Sequence, residues 1–300
     1  RAWNADIPST AGATLMEMID QARSGSLKGM IVVGENPVSS LPAHVHTKEA
    51  LQSLELLVCQ ELFLTETAAL AHVVLPAAAP LEKAGTFTNQ EGHVQPVRPT
   101  IEPAGDSRPD WEILSALSVL LGTPLDYGDP KELLKEIRSI IPGYGLLGPA
   151  PVPPKVDTAA IRRYVGGGYR QTLPALYTLA PRGPQAEGSW QIGLTQSLFH
   201  SGKLSIRSKG LIQIEGQGTL RMNPADAARL AVTDGDRVRL SNKRGDLTTT
   251  IKLAERVPQG SVWFPDHFAQ EAVNLFECTI DPVTKVPAFR TASVSIVKAR

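Results

Sequence analysis

The sequence predicts an α/β fold in two parts, an open parallel sheet followed by a small β-barrel. Three observations carry that expectation. Residues 1–140 alternate helical periodicity with short apolar runs. Residues 141–190 hold 8 Pro and 8 Gly, against 33 in the other 250 residues, and residues 191–300 break into short strands with one short helix. Strand–helix–strand order implies parallel pairing. The Pro/Gly-rich stretch reads as a linker, and many short strands close as a barrel. The expected domains are 1–145 and 191–300, joined by 146–190.

In chain order, Ala13 to Ala22 places Leu15, Met16, Met18, Ile19 and Ala22 on one helical face. Met30-Ile-Val-Val33 is an apolar run of the kind buried on both faces in parallel sheets, and Gly34-Glu-Asn-Pro37 stops it. Thr47 suits the cap of a helix reaching about Ser53. Leu56-Leu-Val-Cys59 is a second strand, Thr65 to Leu70 a short helical segment, and Val73-Val-Leu75 a third strand. Gly85 to His93, polar and bounded by glycine, predicts an exposed loop. One helix begins near Pro109, with Trp111, Leu114, Leu117 and Leu121 on its face; another begins at Pro130. In the second half, Asn223-Pro224 is a cap followed by a first-turn proline. Arg237 to Ser241 alternates as a half-buried strand does, Leu247 to Leu253 returns from a reversal at Asn242-Lys-Arg-Gly245, and Gly260 to Phe264 and Ala292 to Val297 add strands.

Composition removes several function classes. The chain has 300 residues with 30 basic and 30 acidic side chains, so it carries no broad electrostatic footprint for nucleic acid or an acidic membrane. Two cysteines, Cys59 and Cys278, exclude a disulfide scaffold, and they exclude an iron–sulfur cluster or cysteine-rich zinc site held by this chain alone. Each reads as a small buried hydrophobe. No apolar run approaches the roughly 20 residues of a membrane helix. The opening Arg1-Ala-Trp-Asn4 is not a signal peptide, and the absence of an initial Met suggests a piece of something longer.

Candidate chemistry lies in polar clusters that follow strands. His44-Val-His46 could offer two imidazoles to a metal but has no third ligand nearby, and no nucleophile elbow, Walker loop or Rossmann fingerprint is present. Gly34 and Asn36 stand where a strand end meets a turn, a position suited to a nucleotide or phosphate. Thr67, in Thr65-Glu-Thr67, opens a helical turn with free N–H groups. His200, Ser201, Lys203 and Ser205 combine hydroxyls, a glycine and a cation, the chemistry of a pyrophosphate site. Asn274 offers a carboxamide suited to a base edge. A plain turn, a plain cap and a solvated loop remain the alternative for each.

In sequence order these motifs resemble the molybdopterin oxidoreductase family. Gly34-Glu-Asn-Pro37, Thr65-Glu-Thr-Ala68, His72-Val-Val-Leu-Pro76, Glu82-Lys-Ala-Gly-Thr-Phe-Thr-Asn89 and Glu91-Gly-His-Val-Gln95 are similar to the third domain of the family's large subunit. Asn223-Pro-Ala-Asp-Ala227, Asp234-Gly-Asp236, Lys243-Arg-Gly245, His267-Phe268, Asn274-Leu275, Asp281-Pro282 and Pro287 are similar to its C-terminal dinucleotide-binding domain, a double-psi β-barrel. His72 stands where the family pattern has Asp. Leu198-Phe-His-Ser-Gly202 with Leu204-Ser-Ile-Arg207 looks more like the large iron–sulfur subunit of NADH-quinone oxidoreductase (complex I) than like formate dehydrogenase alpha subunits, whose pattern has Thr-Gly-Thr-Met after the His.

The resemblance implies a C-terminal part of that large iron–sulfur subunit, a structural piece of the peripheral electron-transfer arm of NADH-quinone oxidoreductase with no catalytic centre. The alternative is the molybdopterin guanine dinucleotide-binding half of a molybdenum or tungsten formate dehydrogenase. Iron–sulfur clusters and the metal would then belong to upstream domains, so this part holds either no cofactor or the dinucleotide alone. In that case His200, Ser201, Lys203 and Ser205 would surround the pyrophosphate, Asn274 the pterin or base, and Gly34, Asn36 and Thr67 the strand ends. The implied partners are the missing N-terminal domains and other subunits of a respiratory or formate dehydrogenase complex. The implied location is the cytoplasm, peripheral to the inner membrane through the complex.

Overall fold

The computed structural model describes residues 8, 10–89, 94–141, 144, 189–200, 202–282, 284–289 and 292–299. The expected linker 146–190 therefore lies almost wholly outside the described residues, as does Ser201. The chain gathers into two compact units. One comprises Arg1–Ala11, Ile31–Glu35 and Leu57–Leu179; the other comprises Gly12–Met30, Asn36–Leu56 and Ala180–Arg300. Residues 36–56 thus cluster with the C-terminal half of the chain.

Helix α1 (Leu15–Ser24) begins where Glu17 accepts hydrogen bonds from the Thr14 N–H at 2.7 Å and the Thr14 hydroxyl at 2.8 Å, and Gly25 closes it at φ 76°. Ile19 and Ala22 are its buried residues. Strand β1 (Gly29–Val33) leads to α2 (Pro37–Ser40), a 3₁₀ turn at Ala43–Val45, α3 (Thr47–Gln52) and β2 (Leu56–Glu61). Thr47 is the first residue of α3 rather than its cap. His46 precedes it at φ 58°, a left-handed conformation that neither propensity nor periodicity signals. A 3₁₀ turn at Ala68–Leu70 replaces the expected helix there and leads to β3 (Val73–Pro76).

These strands form a sheet in the order β1-β2-β3, with β2 and β3 parallel in the register Val58↔Val73 through Glu61↔Pro76. The strands were expected to be buried on both faces. Instead Leu57, Cys59 and Val32 are buried while Ile31, Val33, Leu56 and Val73 are exposed, Ile31 by 63%. Successive side chains point to opposite faces of a strand, so the runs in β1 and β2 are covered on one face, whereas in β3 the neighbours Val73 and Val74 are both exposed. His72 acts inside this sheet: its Nδ1 accepts the Leu57 N–H at 2.9 Å, and its backbone N–H donates to the Leu57 carbonyl at 2.8 Å.

The expected loop from Gly85 is a hairpin arm. Strands β4 (Gly85–Thr88) and β5 (Val94–Val97) pair antiparallel, with Gly85 opposite Val97 and Thr88 opposite Val94; residues 90–93 lie outside the described residues. Polar, exposed side chains hid the strand, because backbone pairing needs no apolar face. Helix α4 (Asp110–Leu120) buries Ile113 and Ser118, while Leu114 and Leu121 are exposed, so its covered stripe is rotated from the one expected. Helix α5 (Pro130–Ile140) is capped by Asp129, whose carboxylate accepts the Lys131 and Glu132 N–H groups.

The C-terminal half comprises β6 (Trp190–Thr195), α6 (Lys209–Ile214), β7 (Thr219–Met222), α7 (Pro224–Arg229), β8 (Arg237–Asn242), β9 (Gly245–Leu253), β10 (Ser261–Pro265), α8 (Ala269–Ala272), β11 (Cys278–Ile280), β12 (Pro287–Phe289) and β13 (Ala292–Lys298). Six of these strands close a barrel in the order β10-β6-β13-β8-β9-β7. Two parallel pairs, β6–β10 and β7–β9, sit among antiparallel ones, the arrangement of a double-psi barrel. Ile192, Leu220, Met222, Val238, Leu240, Ile251, Val262 and Phe264 fill the interior, none more than 2% exposed. Asn223 caps α7 by accepting the Ala225 N–H at 2.9 Å.

Gly218 marks how closely this interior is filled: a Cβ there would lie 2.2 Å from Phe264 Cζ. Gly218→Ala should therefore overpack the barrel and cost about 1–3 kcal/mol. Urea unfolding followed by circular dichroism should show a lower midpoint, and an unchanged midpoint would mean that the phenyl ring yields freely.

Candidate functional site

The sheet's strand ends carry the first cluster. Gly34 sits at φ 63°, in the left-handed region, and its N–H donates to the Gln60 carbonyl at 2.9 Å. Thr65 uses its hydroxyl to accept the Ala68 N–H at 3.2 Å, and Thr67 is fully buried, so this turn is internally capped. From β2 of the same sheet, Gln60 donates to Asp110 Oδ1 at 2.7 Å, and Lys83 pairs with the other oxygen of that carboxylate. Burial alone would raise the Asp110 carboxyl, but the hydrogen bonds from Lys83 and Gln60 hold it below its ordinary value. The Lys83–Asp110 pair escaped sequence reasoning, since an acid in the first turn of a helix is already explained by the helix dipole.

The second cluster lies in the unit that contains the barrel. His200 is buried. Its Nδ1 lies 3.1 Å from Ser205 Oγ, its Nε2 lies 2.8 Å from the Glu215 carbonyl oxygen, and Ser205 Oγ donates to the Gly202 carbonyl at 2.8 Å. These contacts shape the turn that presents Lys203. The Lys203 ammonium donates to the Ser39 carbonyl at 3.0 Å and to Ser39 Oγ at 3.2 Å. Ser39 Oγ in turn donates to Gln270 Oε1 at 3.3 Å. One helical turn beyond Gln270, Asn274 Oδ1 accepts the Ala43 N–H at 2.7 Å. Residues 36–43 are thereby pinned to the barrel side, and the Asn36 carbonyl accepts the Ser39 and Ser40 N–H groups, both at 3.0 Å.

Asn36, His200, Lys203, Ser205 and Asn274 therefore belong to one unit, and Gly34 and Thr67 to the other. Asn274 is not in a loop. It lies in a helical run formed by a 3₁₀ turn at Asp266–Phe268, α8 and a further 3₁₀ turn at Val273–Leu275.

His267, which the sequence offers only within the His267-Phe268 motif, completes this neighbourhood. It is 1% exposed, its ring stacks on His200 at 4.5 Å between centroids, and Phe268 flanks both rings. Neither ring nitrogen makes a hydrogen bond within the described residues, the Asp266 carboxylate standing 3.5 Å from Nδ1. Buried polar atoms are nearly always bonded, and among the described residues the Asp266 carboxylate is the charged group that this imidazole faces. An imidazole between Phe264-Pro265-Asp266 and Phe268 was the available signal. A donor set of ammonium, carboxamide, imidazole and hydroxyl suits the phosphates and heteroaromatic rings of a pterin dinucleotide. No group of three or more His, Cys, Asp or Glu arranged to hold a metal ion occurs among the described residues.

The fold defines a class, a small parallel sheet followed by a closed six-stranded barrel, and comparison identifies its domains. Residues 2–119 match the family model of the molybdopterin oxidoreductases, and residues 193–293 match that of the molydopterin dinucleotide binding domain. The chain thus carries a match to a molybdopterin oxidoreductase domain followed by a match to a molydopterin dinucleotide binding domain. It is 32% identical to the F420-dependent formate dehydrogenase subunit alpha of Methanocaldococcus jannaschii, over 98% of this chain and 46% of that protein. It is 33% identical to the NADPH-Fe(3+) oxidoreductase subunit alpha of Geobacter sulfurreducens and to the second G-type NADH-quinone oxidoreductase subunit of Rhizobium meliloti, each over 91% of this chain and 31% of the relative. The chain thus spans less than half the length of these relatives. Among solved structures, acetylene hydratase from Pelobacter acetylenicus shares the fold at a TM-score of 0.67 with 16% identity, covering 94% of this chain and 46% of that one.

Burial, and then the neighbouring His200, push the His267 pKa below its ordinary value, while Glu215 and Asp266 pull weakly the other way. The unfolded chain then binds a proton that the folded chain refuses, so stability rises with pH through this range and is lost as pH falls below about 6.5. Urea midpoints should decline on the acid side, and His267→Gln should flatten that decline. Equal slopes in both proteins would remove His267 as the source.

Proposed function

We propose that this chain is the dinucleotide-holding part of the large subunit of a molybdopterin-dependent oxidoreductase of the formate dehydrogenase alpha kind, with no catalytic centre of its own. Residues 1–145 and 191–300 act as its two domains. The observation that carries this reading is His267, a buried imidazole left without a hydrogen-bond partner among the described residues, beside the Lys203 turn. Leaving such a group unsatisfied costs about 1–3 kcal/mol, a penalty that a bound ligand relieves.

When bound, molybdopterin guanine dinucleotide supplies the metal-linked redox centre, and molybdenum or tungsten and the iron–sulfur clusters belong to parts of the protein outside these 300 residues. What this chain supplies is grip and orientation. Lys203 offsets phosphate charge, with Ser201 as a hydroxyl donor, while Ser205, held by His200 and bonded to the Gly202 carbonyl, fixes the turn that carries them. Asn274, its carbonyl oxygen already pinned by Ala43, keeps a fixed Nδ2 donor for the pterin or base. The partners are the rest of the same polypeptide and the other subunits of its complex, in the cytoplasm.

A second reading, the large iron–sulfur subunit of NADH-quinone oxidoreductase as a structural part without a pterin, is favoured by one observation. Lys203, Gln270 and Asn274 already spend hydrogen bonds on Ser39 and Ala43, as a cofactor-free scaffold would need.

The full-length subunit, purified without air and denatured, should release about one guanine nucleotide and one oxidisable, fluorescent pterin per chain or a fixed multiple of it. Lys203→Ala should lower that occupancy about tenfold, equivalent to ~1.4 kcal/mol, without unfolding the barrel. No nucleotide or pterin from the unmutated subunit would reject the dinucleotide reading in favour of the scaffold.

A further inference from the structure

The outer wall of the barrel carries a second constellation, which adjoins the His200 turn through Glu215, whose carbonyl lies 2.8 Å from His200 Nε2 and whose carboxylate pairs with Arg221. Strand registers set Trp263 on β10 opposite Gly193 on β6 and opposite Arg221 on β7, and Arg221 opposite Lys252 on β9. The row across four strands therefore reads glycine, indole, guanidinium, ammonium. All four lie on the outward face, since their sequence neighbours Ile192, Val262, Leu220, Met222 and Ile251 fill the interior. Gly193 makes room for the ring: a Cβ there would stand 2.9 Å from Trp263 Cζ3. The indole consequently lies down against β6 instead of standing into solvent.

Above this row, residues 254–258 form a wall. The Ala254 N–H donates to the Met222 carbonyl at 2.9 Å, the Val257 N–H to the Ala254 carbonyl at 3.1 Å, and Asn223 Nδ2 to the Val257 carbonyl at 2.9 Å. Val257 is buried, so the wall is anchored and Arg256 is carried at its exposed turn. Together with Thr195, Arg221 and Trp263, these residues line an open groove of about 620 Å³. Arg221 is held in place by Glu215 at 3.4 Å, and Glu215 is itself hydrogen-bonded by Ser197. The groove thus has a preset aromatic floor, one tethered guanidinium and a second on an exposed turn, and Glu255 is the carboxylate among its lining residues.

We propose that this groove binds a planar aromatic anion of mononucleotide size. Its volume falls in the range of small-molecule sites. A half-buried indole stacks on a heteroaromatic ring without reading its identity, and the Arg256 guanidinium, beside an Arg221 already paired with Glu215, offers charge to a phosphate. The inference rests on the barrel wall alone and stands whether or not the chain holds a pterin dinucleotide.

The test is a titration of the 300-residue chain with AMP, followed by calorimetry and by the indole N–H signals in nitrogen-15 spectra, where Trp263→Phe assigns its own peak. AMP should shift the Trp263 signal saturably, and adenosine or inorganic phosphate alone should bind at least tenfold more weakly. Arg256→Glu, at an exposed turn, should weaken AMP by at least tenfold, and Gly193→Ala should weaken it by displacing the ring. No saturable shift at Trp263 would overturn the proposal. So would AMP binding that survives Arg256→Glu but is lost in Lys203→Ala, since that pattern places the nucleotide at the His200–Ser205 turn instead.

Discussion

The candidate site depends on one tether, the hold of the barrel side on residues 39–43. Lys203, Gln270 and Asn274 come from two separate stretches of the second half, and all three engage the same short segment, at Ser39 and Ala43. Individually such bonds contribute about 0.5–1.5 kcal/mol, rather more where the donor is charged. Their geometric effect is larger than that figure suggests. Helix α2 has only four residues and cannot hold its own position, so Asn36 and the turn it begins are fixed by contacts distant in sequence. A polar residue that orients backbone in this way can serve a ligand with whatever donors it has left, as Asn274 does with Nδ2.

Barrel closure supplies the rigid frame for that tether. Every barrel strand is paired on both sides, so no edge is left to shift register. Inward positions are almost wholly aliphatic or aromatic, and alternation sends Trp263, Arg221 and Thr195 outward. His267 lies just beyond the end of β10, where the alternating pattern gives way to helical turns, and there the apolar surroundings enclose an imidazole. There the apolar, closely filled interior gives way to polar groups, His267 facing Asp266 and His200.

Much of the fold was legible because local chemistry and tertiary structure agree. Asn223-Pro224 and Asp129-Pro130 start helices as capping rules require, and the apolar runs at 30–33, 56–59 and 73–75 are strands of one sheet. Legibility failed where the deciding force was not local. The left-handed His46 displaced the α3 cap, the exposed β4–β5 hairpin has no apolar alternation to betray it, and α4 buries Ile113 and Ser118 rather than Leu114 and Leu121. For the site, residue chemistry singled out His200, Lys203, Ser205 and Asn274, but the partners of Lys203 and Asn274 at Ser39 and Ala43 lie 164 and 231 residues away. Pairings of that separation have no signature in a window of sequence. His267 was visible only as part of a motif, because burial without a partner is a property of three dimensions.

The most direct measurement of the central claim is an experimental structure of the full-length subunit isolated with whatever cofactor it carries, at a resolution that shows hydrogen-bond geometry. The account predicts that a ring nitrogen of His267 and Nδ2 of Asn274 each lie within hydrogen-bond distance of a bound pterin dinucleotide, with the tether from Asn274 to Ala43 intact. A subunit carrying a pterin that contacts neither residue, with His267 satisfied by another part of the polypeptide, would contradict it.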